Sequence, residues 1–310
     1  MIRALLDREF LFVAGKGGVG RTTVSGALAL AAAGLGKRVL VAMCNAPDRL
    51  SPMLGVAPIG TEIQTILPGI DAVNMTPQTA LQEYGRIHLK VGAVYRAIFE
   101  NRLVMSFLQG TPGLESWSLL GKAYYHAQEE KDGRPRYDLV IVDGPATGHA
   151  LDMLRTPRTF REMVPPGVMR READRAWELF TDPERSAFTL VSLPEDMPVN
   201  ETLELASTLD KELGLPVGAV LLNRHCGTVF ADDERIVLES SEHAWPENVG
   251  PIIESARYRV RRQSLEEDAI RRLSEGVAAP LLCLPEQDTS ELGRQQLESL
   301  AAVVRGSSGT

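Results

Sequence analysis

The chain has 310 residues, 44% hydrophobic and 24% charged, an ordinary globular composition with enough apolar material for a large core. Its 33 basic against 41 acidic residues leave a net charge of -8, which argues against a general nucleic-acid binder, because such a protein needs a positive field. Residues 1–9 hold no apolar run of signal-peptide length, and the stretch from Ala27 to Leu35 is too short to cross a bilayer, so a cytoplasmic protein is expected.

In chain order, the apolar run Phe10 to Ala14 reads as a buried strand and the alanine-rich run Thr23 to Leu35 as a helix. Between them lies Gly15-Lys16-Gly17-Gly18-Val19-Gly20-Arg21-Thr22-Thr23. Glycines let the backbone curl so that successive N–H groups converge, and the helix N-terminus behind them adds its dipole. Such a concavity binds phosphate. The spacing is close to the P-loop G-x-x-x-x-G-K-[ST], with Gly15 and Gly20 at the glycine positions and Thr22 where a hydroxyl would hold Mg²⁺. Arg21 stands where that pattern has Lys.

Arg38 to Met43 predicts a second buried strand after a Gly34/Gly36 helix stop, and Cys44 to Gly60 reads as loop. Gly69 to Met75 gives a third strand. From Pro77 to Lys131 apolar residues recur at helical spacing (Leu81, Tyr84, Ile87, Leu89, Val91, Val94, Ile98), which predicts an inserted helical subdomain. Tyr137 to Asp143 is the strongest buried-strand signal, ending in the kind of acid that sits near Mg²⁺ in P-loop enzymes. After the loop Gly144 to His149 come a helix from Ala150 to about Arg155 and a second helical excursion over 157–186. Strands at 187–193, 217–223 and 280–284 alternate with helices at 199–213 and near 290–304, and a Gly-Ser tail at 306–310 is read as flexible.

Strands apolar on both faces, alternating with helices, predict a mainly parallel sheet flanked by helices in one domain over 1–310. Ligands of such sheets bind at the carboxyl ends of the strands, where Gly15, Cys44, Asp143 and Asn223 all fall. Cys44, Cys226 and Cys283 form no C-x-x-C pair, so they read as small buried hydrophobes rather than as a disulfide or zinc framework. Arg155, Arg158, Arg161, Arg170 and Arg171, interleaved with acids, read as a solvated surface, and Arg257, Arg259, Arg261 and Arg262 as helix pairs to Glu266, Glu267 and Asp268.

The early Lys16 resembles the deviant Walker A loops of the partition, nitrogenase-iron-protein and arsenite-pump ATPases. Together with Asp143-Gly144-Pro145-Ala146-Thr147-Gly148-His149, close to D-x-x-P-T-G-H, it makes the chain similar to the ArsA family. Leu193-Pro194-Glu195 through Pro198 to Glu201-Thr202, and Leu222-Asn223-Arg224, extend the resemblance over nearly the full length. The resemblance implies an ATP/ADP-binding P-loop fold working as a homodimer, or as a heterodimer with a related ATPase. Gly15, Gly17, Gly18, Val19, Gly20, Arg21, Thr22 and Thr23 would wrap the phosphates, Thr22 and Asp143 would serve Mg²⁺, Lys16 would reach the partner's nucleotide, and Asn223 would read adenine. Asn223 also fits a strand-end turn, and His149 fits either a switch or a loop-packing role.

Two departures bear on chemistry. Where the family's first switch usually begins with Asp, Asn45 stands here; an amide orients a water but takes no proton from it. Asp48 lies three residues on. Arg21 keeps the charge of the usual Lys on a bulkier planar fork, so binding should survive better than hydrolysis. Scattered cysteines argue against arsenite as a ligand. Leu103, Val104, Met105, Phe107, Leu108, Met153, Met163, Val164, Val168 and Met169 offer apolar material either for a helical core or for a protein client. Three readings follow: an active Mg²⁺-dependent ATPase, a poorly hydrolysing ATP-binding subunit, and a nucleotide-sensing regulator.

Overall fold

A computed structural model describes residues 2–88, 113–163, 166–240, 245–289 and 291–307. The fold follows from strands that are apolar on both faces and therefore need cover on both sides. Strands β1 (Phe10–Gly15), β2 (Val39–Cys44), β4 (Ile70–Met75), β7 (Leu139–Asp143), β8 (Ser186–Ser192), β9 (Val217–His225) and β10 (Leu281–Pro285) run parallel, and β3 (Gln64–Leu67) adds an antiparallel edge. The order across the sheet is β10-β9-β8-β1-β7-β2-β4-β3. A separate short hairpin pairs β5 (Glu130–Lys131) with β6 (Arg134–Pro135).

Alternation along β1 assigns the two faces. Phe10, Phe12 and Ala14 belong to one core, whereas Leu11 and Val13 belong to the other. The second core is closed by α1 (Arg21–Ala33) and the last helix, α10 (Arg294–Gly306). Leu297 lies against Gly26, so a larger residue there would collide with it. The first core lies under α4 (Leu114–Gln128), α5 (Thr147–Met163), α6 (Val168–Thr181), α7 (Asp196–Ser207) and α9 (Gly250–Gly276). The shorter helices are α2 (Leu50–Leu54), α3 (Pro77–His88) and α8 (Asp232–Glu239).

Several expectations need correction. The helix expected to stop near Arg155 runs through Pro157 to Met163, because the apolar stripe Ala150, Met153, Leu154 stays buried and carries the backbone on. A short antiparallel edge over 64–67, three half-buried residues and an exposed Thr65, adds a strand in a stretch to which the sequence assigned no element. The 77–131 insertion closes with the 130–135 hairpin rather than a helix. Of the arginine cluster, Arg262 faces Glu266 at 3.9 Å as expected, but Arg257 donates to the Leu238 carbonyl and Arg259 to the Cys226 carbonyl. Those guanidiniums fasten the long helix to the helix over 232–239 and to the segment just after β9. Cys44 is buried, while Cys226 and Cys283 are half-exposed, and all three are free. Apolar residues at 89–108, the side chains of Tyr84, Ile87, Met163, Val168 and Met169, residue Val164 and the end of the tail lie outside what is described.

Phe12 is fully buried, 5.8 Å from the ring of Phe188, and supports the loop after β7. Phe12→Ala is expected to cost about 3–5 kcal/mol in urea unfolding, with the midpoint falling at unchanged slope.

Candidate functional site

The carboxyl ends of β1, β7 and β9 bring together the glycine loop, Asp143 and Asn223. Gly18 and Gly20 have φ of 90° and 92°, a region that L side chains avoid. Gly20 is constrained a second time, because a Cβ there would lie 2.3 Å from the Asn223 amide nitrogen. That amide donates to the Val19 carbonyl at 2.9 Å. Asn223 is therefore buried against the underside of the loop, two residues before β9 ends at His225.

Asp143 closes β7 and is 5% exposed. Thr22 Oγ1 donates to its Oδ2 at 2.7 Å and Ser25 Oγ to its Oδ1 at 3.3 Å. Burial pushes this carboxyl above its ordinary range, while the Thr22 bond and the charge of Arg21 pull the other way. Desolvation prevails, so the site holds a carboxylate in need of positive charge. Gly144 follows because any Cβ there would meet the Phe12 ring at 2.6 Å and the Val13 carbonyl at 2.7 Å. Ser25, one turn after Thr22, was not singled out in the sequence; its spacing along α1 is the signal that finds it.

Arg21 folds back so that Nη1 donates to the Gly15 carbonyl at 2.5 Å. Its burial lowers its pKa from the usual guanidinium value, opposed by Asp143. Lys16 ion-pairs with Glu201 Oε1 on α7, and Thr147 Oγ1, on the first turn of α5, donates to Glu201 Oε2 at 3.3 Å. Glu201 thus joins the glycine loop to the segment after Asp143. Its place in the Glu201-Thr202 match flagged it, but its partner could be found only in three dimensions. Thr23 is buried, with Oγ1 3.7 Å from the Met53 sulfur, and Gly17 is open to solvent on the side a Cβ would occupy.

Asn45 follows β2 as expected. It is exposed, at φ 48°, with its N–H donating to the Met75 carbonyl at 2.8 Å. Asn and Asp are the residues that best tolerate that conformation. Asp48 accepts from the Ser51 and Ile59 amides at 3.0 and 2.8 Å and from Ser51 Oγ at 2.5 Å. It is a local cap and turn anchor, already committed by these bonds. His149 is exposed on the first turn of α5. Cys44 sits beside the site, but burial drives its thiol far above the normal range and leaves it inert.

The described residues include no group of three or more His, Cys, Asp or Glu side chains that could hold a metal. The buried Asp143 carboxylate with its two hydroxyls instead suits Mg²⁺, which takes one or two protein oxygens and completes its shell from phosphates and water.

Because the raised pKa of Asp143 belongs to the folded state, folding retains its proton to higher pH than the unfolded chain does. Stability from this group is therefore greatest in acid and declines as pH rises past the ordinary carboxylate range toward the raised value. Asp143→Asn should melt higher than the parent at neutral pH, by about 2–4 °C for each kcal/mol of relieved burial cost, with the gap closing in acid. Melting curves at several pH values check this.

The chain matches the family described as anion-transporting ATPase over residues 8–168 and 168–239. It is 29% identical over 219 residues to ATPase BagA of Mycobacterium tuberculosis, covering 69% of this chain and 64% of that protein. It is 25% identical over 320 residues to a putative arsenical pump-driving ATPase of Halobacterium salinarum, covering 98% of this chain and 45% of that protein. An arsenical pump-driving ATPase of Escherichia coli is 27% identical over 233 residues, covering 68% and 39%. The chain thus spans less than two thirds of the length of these curated relatives. A family match over most of the chain, with the glycine loop and Asp143 converging on one site, establishes that this protein belongs to the ArsA ATPase family.

Proposed function

We propose that the chain binds ATP with Mg²⁺ and hydrolyses it slowly, with the nucleotide cycle coupled to association of two such nucleotide-binding units. The observation that carries this reading is the 2.7 Å bond from Thr22 to Asp143 at the mouth of the glycine loop. By fixing the Thr22 proton, Asp143 leaves the lone pairs of Oγ1 facing the loop, where they would ligand Mg²⁺. The backbone N–H groups from Gly17 to Thr23 would hold the phosphates. Arg21 would add charge-assisted hydrogen bonds from the N–H groups it does not give to Gly15. Bound Mg²⁺ would neutralise charge developing on the transferred phosphoryl group.

Asn45 is the weak member. Its exposed amide can orient a water through one hydrogen bond, but it adds no negative charge and accepts no proton in the neutral range. For Lys16 to act on a second unit's nucleotide it must first leave Glu201, so association and rearrangement of α7 against the loop belong to one step. Asn45 together with Arg21 also supports a second reading, an ATP-binding subunit that relies on a related catalytic chain. A purely regulatory, nucleotide-sensing role fits the same binding chemistry.

Any protein client would meet the helical insertion, much of which lies outside the described residues. Met153 belongs to the buried core and is not available to a client. The three separated thiols give no support to an arsenite site. Among the described residues no helix is long and apolar enough to cross a membrane, in keeping with a cytoplasmic role.

Steady-state ATP turnover with Mg²⁺, measured beside equilibrium ATP binding, tests the proposal. Thr22→Ala should remove Mg²⁺-dependent turnover, and Asn45→Asp, combined with Arg21→Lys, should raise turnover by about 10²-fold or more. Binding with no turnover in either form would favour the second reading, and absence of ATP binding would sink the assignment of the loop.

A further inference from the structure

A cavity of about 360 Å³ opens between α5 and α6, lined by Arg158, Arg161, Glu162, Arg170 and Trp177. Its volume falls in the range of small-molecule sites. Its charge is opposite to that of the chain as a whole. Arg161 Nε donates to Asp174 at 2.6 Å, and Arg158 donates through Nη1 to the Glu212 carbonyl at 3.0 Å and through Nε to Glu162 at 3.5 Å. Asp174 and Glu162 therefore balance two of the three guanidiniums. Glu172, the other acid on this stretch of α6, is taken by Arg175 at 3.2 Å. The Arg170 side chain makes no ion pair or hydrogen bond with any described residue, which leaves one positive charge unbalanced among the described residues of the cavity.

The unpaired charge faces a ready frame. The bonds to Asp174 and Glu212 hold Arg161 and Arg158 in place while their remaining N–H groups stay free, so ordering these side chains costs a ligand little. A guanidinium presents planar paired donors matched to the oxygens of a carboxylate or phosphate. The fourth wall is Trp177, partly buried against the main core and thereby fixed, with the rest of its indole turned to the cavity. An indole face takes a flat apolar ring by stacking.

We propose that this cavity binds a small organic anion consisting of a flat ring that carries a carboxylate or phosphate group, the ring against Trp177 and the anion on Arg170 with help from Arg161 and Arg158. The site is separate from the glycine loop and stands independently of whether the loop hydrolyses ATP. α5 joins the two regions, since it begins at Thr147 beside Glu201 and carries Arg158 and Arg161 about three and four turns further on.

Calorimetric titration of the full chain with 2-naphthoate, 1-naphthyl phosphate, neutral 2-naphthol and inorganic phosphate, each with and without saturating ATP, provides the test. The expected result is one-to-one binding of a naphthyl anion, unaffected by ATP and weakened at least about tenfold in Arg170→Gln and in Trp177→Leu. The relative strength of the two naphthyl anions identifies the head group. If Trp177→Leu unfolds the chain, Arg170→Gln alters only a partly exposed side chain and remains decisive. The proposal is overturned if neither naphthyl anion binds saturably at millimolar concentration, if 2-naphthol binds as tightly, if both variants bind like the parent, or if ATP abolishes binding. An acidic aromatic peptide that binds where both naphthyl anions fail would overturn it in favour of a protein partner.

Discussion

The placement of one carboxylate governs much of this structure. Asp143 stands at the end of a strand that is buried on both faces, where a charge has no solvent to turn to. Two hydroxyls from the first helix meet it, one per oxygen, and those bonds tie the glycine loop to the centre of the sheet. The surroundings then have little freedom. Gly144 is needed because Phe12 and the Val13 carbonyl crowd the next backbone position, and Arg21 is drawn toward the same corner.

The sheet and the loop were legible in the sequence because their signals are local. Buried parallel strands write themselves as unbroken apolar runs such as Leu139 to Val142, and the phosphate loop as glycines at fixed offsets between strand and helix. What stayed hidden depends on partners distant in the chain. Nothing near Glu201 in sequence says that its carboxylate will take Lys16 and Thr147 together. The route of Asn223 is similar: the strand end was visible, whereas its amide bracing the Val19 carbonyl was not. Local rules also misled at Pro157, where burial of one helix face outweighs the break that a proline ordinarily imposes.

Arg257 and Arg259 show the limit of reading charge by spacing. Helical offsets pointed to carboxylates further along the same helix, but in the fold Arg257 reaches the Leu238 carbonyl of α8 and Arg259 the Cys226 carbonyl just after β9. Glu267 in turn is claimed by Arg235 from another helix. Such crossed pairings fasten the long α9 to α8 and to the segment just after β9, the strand that carries Asn223.

The central position of β1 has a consequence for how the chain reaches this state. Phe10 lies beside Val140 on one side and Ser186 on the other, so the first strand to be synthesised waits for neighbours from the middle of the chain and beyond. The helix after it is covered chiefly by the last helix of the sequence. Assembly is thus dominated by distant pairings, which are slow to form. During synthesis the apolar edges of Phe10–Gly15 and the glycine loop behind them stand open, a window in which a holding chaperone would protect the nascent protein from intermolecular strand pairing.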